Sequence, residues 1–162
     1  MDPRHRARRL VLQGLCSLDV QGPHALLLVR GFLDDSREAA EVLEAAHELL
    51  GDAYADREAC DELLARHTRH WDLNRLALVD RNILRLTAYE LRADRAPVKV
   101  LITEAIRLAR EFCTAESPRF VNGILDAVAK ELAGGNAPEA EPAKEEDSAG
   151  SDEGDAGNGS LK

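Results

Sequence analysis

From Val98 onward the apolar residues recur every three or four positions, a spacing that fits helices and excludes the two-residue alternation of a half-buried strand. Val98, Leu101, Ala105, Leu108 and Phe112 follow Pro97. Val121, Ile124, Leu125, Val128 and Leu132 follow Ser117, which is placed as an N-cap, and Pro118 at the first helical position. Gly134-Gly135 stops that second run. The same rhythm opens the chain. Ala7, Leu10, Val11, Gly14, Leu15 and Leu18 form one stripe of a helix running from about Pro3 to Val20 and ended by Gly22-Pro23. Between these ends the pattern predicts a short helix over Pro23 to Leu33. A longer one runs from near Ser36 toward Arg66, with Gly51 as the point where it would kink or break. A short helix then leads into a central one across Asp72 to Arg92. The reading is an all-α fold of six or seven helices with short connections.

Composition agrees. Leu and Ala dominate, Phe, Tyr and Trp make up only 4% of 162 residues, and β-branched runs are nearly absent, so the core is aliphatic and helix-forming. No apolar stretch reaches the ~18 residues needed to cross a bilayer, and MDPRHRARRL lacks the apolar core of a secretory signal, so a cytoplasmic protein is expected. Cys16, Cys60 and Cys113 are odd in number and widely separated, which suits reduced thiols better than disulfides or a zinc site. His67 and His70 lack acidic or thiol ligands at matching helical spacing, so no metal and no cofactor are expected.

The formal net charge of −9 is segregated. The tail after Ala133 carries −6, is filled with Gly, Pro, Ser and acids, and has one large apolar residue, Leu161. Such a segment cannot bury enough to offset its ordering entropy, so residues 134–162 are expected to be a disordered acidic tail and residues 1–133 the folded domain. The first nine residues carry +3, from Arg4, Arg6, Arg8 and Arg9 against Asp2. Cations at a helix N-terminus oppose the macrodipole. A cluster placed against local stability is explained by a polyanionic partner, since the guanidinium fork suits phosphate oxygens and base edges. Plain solvation of a helix surface is the competing explanation.

Farther along, Arg119, Phe120 and Asn122 combine charge, a ring at the border of an apolar stripe and an amide, the set that single-stranded RNA recognition uses. Core packing explains Phe120 alone equally well. Phosphate-binding glycine loops, nucleophile elbows and HExxH are all missing, so no enzyme is expected. Glu90, inside the apolar arc of the central helix, reads as a structural carboxylate that meets a helix end or a buried arginine.

Three segments, RARRLVLQGLCSLDVQG (6–22), DRNILRLTAYEL (80–91) and VKVLITEAIRLAREFCTAESPRFVNGILDAVAKEL (98–132), resemble the NusB family of transcription antitermination factors. The third is the most specific, through KVxxxEAIxLA followed after a short gap by FVNGxLD. Residues 24–75 match weakly and the tail not at all. With no segment after residue 133 that could form a methyltransferase, the likeness is to the stand-alone form. Family members commonly carry Tyr where this chain has Cys16.

The resemblance implies two small packed helical bundles that bind the boxA element of nascent ribosomal RNA leaders. Binding would occur together with NusE, a small-subunit ribosomal protein, within the RNA polymerase antitermination complex that suppresses premature termination. It implies an RNA-facing surface of Arg4, Arg6, Arg8, Arg9 and Gln13, with Arg85, Phe120 and Asn122 on or near it; Arg119 joins them from the residue pattern. It also implies a partner surface at Asp80, Arg81 and Leu84. The reading from another class is a helical protein-interaction module whose basic arm meets an acidic protein, with no RNA role.

Overall fold

The computed structural model describes residues 1–68 and 72–135. His70 and nearly all of the acidic tail lie outside the described residues. Seven α-helices are present among them: α1 (Pro3–Gln21), α2 (Leu26–Asp34), α3 (Ala40–Ala55), α4 (Arg57–Ala65), α5 (Leu78–Arg92), α6 (Val98–Phe112) and α7 (Ser117–Leu132). Short 3₁₀ turns at Pro23–Ala25 and Leu73–Arg75 lead into α2 and α5. No strand occurs among the described residues.

The helices form two groups. α1 packs on α2 and α3, α5 packs on α4, α6 and α7, and α1 against α5 joins the two. α1 is therefore more than a surface helix. Besides the expected stripe it buries His5, Arg8 and Leu12, because it faces α3 on one side and α5 on another. Its start is capped by the Asp2 carboxylate, which accepts from the Arg4 amide at 3.1 Å and supplies a negative charge where the arginines oppose the dipole. Its end is Gly22, at φ 89, whose N–H donates to the Leu18 carbonyl at 2.8 Å. Gly14 is required by close approach: a Cβ there would meet Leu50 Cδ1 and Val29 Cγ1, both at 3.1 Å.

Three helix boundaries differ from the sequence reading. The third helix begins at Ala40, since Arg37 at φ 61 cannot continue a right-handed helix from Ser36. The break expected at Gly51 falls at Asp56, where Arg92 pairs with the carboxylate and the Cys60 thiol donates to it at 3.4 Å. Gly51 stays helical; its missing side chain leaves room for the Arg30 guanidinium, 2.9 Å from where a Cβ would be. At α7, Ser117 is the first helical residue rather than the cap. It is buried, with its hydroxyl 3.2 Å from that of Thr114.

Candidate nucleic-acid interface

The first turns of α1 divide their basic side chains between interior and surface. His5 is fully buried, with Nδ1 2.6 Å from Glu104 Oε2 and Nε2 2.7 Å from Glu111 Oε1. Arg8 is 7% exposed. Its Nε donates to both Glu90 oxygens at 2.9 and 3.2 Å, its Nη2 donates to Oε1 at 2.9 Å, and Nη1 lies 3.7 Å from Glu104. Burial works against the charge of Arg8, but the hydrogen bonds and charge of Glu90, with Glu104 behind, outweigh it and raise the guanidinium's pKa. Arg8, expected to face RNA, is thus turned inward. Glu90 meets a buried arginine, as its place in an apolar arc suggested.

The other three arginines lie outward. Arg4 is exposed, and among the described residues no ion pair engages its guanidinium. Arg6 pairs with Glu38 of the α2–α3 loop. Arg9 keeps Nε 3.0 Å from Glu111 Oε2, an ion pair too poorly aligned to count as a hydrogen bond, and stacks over the Phe112 ring at 5.7 Å. Gln13 is exposed one turn farther on, along the same side of α1. There it lines a groove of about 690 Å³ with Ser17 and Gln21 of α1 and Leu27, Leu28 and Phe32 of α2.

The remaining expected RNA residues are not gathered onto this face. Arg85 donates from Nε and Nη2 to Asp61 at 2.6 and 2.7 Å and from Nη1 to Asp19 at 2.9 Å, which commits it to structure. Arg119, exposed, and Phe120, half-buried against the core, line a separate shallow depression with His67, Gly123, Ile124 and Ala127. Asn122 is exposed and lies about 160° around α7 from Phe120, outside that depression. Of the expected partner residues, Asp80 is half-buried in the first turn of α5. Arg81 is held by Asp19 at 2.8 Å, and Leu84 is fully buried and unable to touch a partner.

The sequence reading missed the acceptors that sort these arginines: Glu38, Glu104 and Glu111. Glu104 and Glu111 are seven apart on α6, hence on one face, and that spacing was the available signal. The thiols are quiet. Burial first, then nearby carboxylates, push Cys16 up to about 11 and Cys60 and Cys113 up to about 12, leaving them protonated at neutral pH. Among the described residues no group of three or more His, Cys, Asp or Glu could hold a metal ion, and no helix is long and apolar enough to cross a membrane.

Seven helices in two joined groups, with arginines crowded at the start of the helix that joins them, define an all-helical binding domain. The NusB family profile matches residues 5–130, and the chain belongs to that family. It is 42% identical over 137 residues to the transcription antitermination protein NusB of Streptomyces coelicolor, covering 82% of this chain and 95% of the relative. It is 39% identical over 140 residues to that of Symbiobacterium thermophilum, covering 81% and 92%. Among solved structures, T. maritima NusB superimposes with a TM-score of 0.73 at 36% identity, covering 85% of this chain and 95% of that one. A structure of the antitermination factors NusB and NusE in complex with double-stranded RNA matches with a TM-score of 0.72 at 25% identity, covering 81% and 98%.

Proposed function

We propose that this protein is an antitermination factor that binds boxA-type RNA in nascent ribosomal RNA transcripts together with a NusE-like ribosomal protein, suppressing premature termination by RNA polymerase. Family membership supports the reading, as do relatives named for antitermination and a structural neighbour that holds both NusE and RNA. The observation that carries it in this chain is Arg6 and Arg9 on one side of α1, continued by Gln13, with Arg4 exposed about 160° around the helix from Arg6. Guanidinium groups meet phosphate, and the amide reads base edges. The role is binding rather than catalysis, and it is exercised in the cytoplasm.

Arg119, Phe120 and Asn122 make a second contact zone for RNA in this reading, separate from the α1 face. The NusE-like partner docks at the start of α5 around Asp80, where Asn74, Arg75 and Ala77 are exposed nearby in the chain. The deciding experiment is gel retardation of a leader RNA by the purified protein, the NusE-like partner and both together, at two salt concentrations. Joint retardation that weakens steeply with salt is the expected result. No retardation by the pair at low salt would leave the rival reading, a protein-interaction module without RNA.

A further inference from the structure

Two of the three outward arginines of α1 are already held by carboxylates of the same chain. Glu38 reaches Arg6 from the loop between α2 and α3. That loop turns through Arg37 in the left-handed region, at φ 61, a conformation that a residue with a Cβ adopts only when its surroundings require it. The turn delivers the Glu38 carboxylate to the face of α1 that carries Arg6 and Arg9. On the other side Glu111 closes on Arg9, with Phe112 beneath the guanidinium and His5 on its second oxygen. A carboxylate can offer oxygens to a guanidinium as a phosphate can.

We propose that Glu38 and Glu111 are affinity-setting residues of the RNA face: internal stand-ins for phosphate that hold Arg6 and Arg9 ready in the free protein and are displaced when RNA binds. The inference rests on the RNA reading above. Arg4, with no such stand-in among the described residues, is the arginine open to a first phosphate. Arg6 and Arg9 engage only by exchanging one anion for another, so part of each new contact is spent on breaking the old one. Ion pairs that are partly open to solvent, as these are, are weak, which makes the exchange feasible and its effect on affinity moderate.

The test measures binding of a boxA-type RNA oligonucleotide, with the NusE-like partner present, to the full chain and to Glu38→Gln, Glu111→Gln, Arg6→Ala and the Arg6→Ala/Glu38→Gln double variant. Glutamine at position 111 keeps an oxygen for His5, and thermal melts check that every variant is folded. The expected result is roughly three- to tenfold tighter binding by Glu38→Gln and by Glu111→Gln at low salt, shrinking as salt screens the competing charges. In the Arg6→Ala background the gain from Glu38→Gln should vanish, because the carboxylate then has no arginine to withhold. Unchanged or weaker binding by a folded Glu38→Gln protein overturns the proposal. So does a gain that persists without Arg6, which would mark simple charge repulsion. If the unmodified chain with its partner does not bind the RNA at all, the RNA reading fails and takes this inference with it, a result distinct from either of the others.

Discussion

Arg8 of α1 and Glu90 of α5 form a two-pronged ion pair inside the molecule, with two donors on one guanidinium edge at 2.9 Å from the two carboxylate oxygens. The pair joins the two helical groups through polar atoms, as Asp19 of α1 does farther along with Arg81, Asn82 and Arg85 of α5. Removing one partner leaves the other charged and buried, which costs about 3–5 kcal/mol. Arg8→Ala is therefore expected to lower folding stability by that amount in denaturant melts. Glu90→Gln, which leaves Arg8 facing a neutral amide, should be nearly as damaging. A loss under about 1 kcal/mol in both would mean that the pair is solvated in solution.

The outward arginines should behave in the opposite way. Replacing Arg4, Arg6 and Arg9 together by Ala is expected to change the denaturant midpoint little while weakening RNA binding. The slope of log affinity against log salt should flatten by about 0.7 for each phosphate of a single strand that the variant no longer neutralises. Titrations at several salt concentrations check this, and an unchanged slope would take the α1 face out of the interface.

Phe120 separates stacking from packing. It is half-buried, so Phe120→Ala should cost less than about 2 kcal/mol of stability, short of a full core truncation. If a base stacks on the exposed part of the ring, RNA binding weakens about tenfold. Melts and titrations of the same variant decide the matter. A full core loss with normal RNA affinity in the folded fraction would mark Phe120 as a packing residue.

Acid should reveal the network around Asp19. Burial alone would raise the pKa of this carboxyl, but hydrogen bonds from Asn82 and Arg81 and the charge of Arg85 win and hold it below its ordinary value of 3.8. A carboxyl depressed in the folded state stabilises above its unfolded pKa and loses that contribution as pH falls through the folded value. Asp19→Asn is expected to be less stable than the parent at pH 7, with the two converging as pH drops below about 4. Urea melts across that range check it; a gap that stays constant down to about pH 2.5 would show that the lost stability is not tied to this ionisation.

Much of the fold was legible because periodicity reports burial directly. The stripe from Ala7 to Leu18, the Gly22 stop and the paired helices after Pro97 all follow from side chains that have one place to go. The break at Asp56 carried no such mark: neither Pro nor Gly stands there, and the partners that shape it, Cys60 and Arg92, come later in the chain. The site was less legible for a related reason. An arginine's type does not say whether its carboxylate is water-exposed, buried or absent, so Arg8, Arg85 and Arg6 read alike. Their acceptors lie 82, 24 and 32 residues away. Leu84 had the same difficulty in reverse, since a helix apolar on several sides does not announce which leucine a partner could reach.

The anchoring of α1 also bears on the order in which the molecule can mature. α1 leaves the ribosome before α2 to α7, yet the carboxylate partners of His5 lie 99 and 106 residues later and that of Arg8 lies 82 later. Contacts so distant in sequence close late. A nascent chain that has completed α3 can bury the stripe of α1 against it, but His5 and Arg8 still lack their carboxylates until α5 and α6 emerge. During that interval Arg8 is a further free cation beside Arg4, Arg6 and Arg9, and the arginines of the helix start are not yet sorted between interior and surface. Synthesis of the later helices is thus what turns an indiscriminately basic helix start into a defined surface.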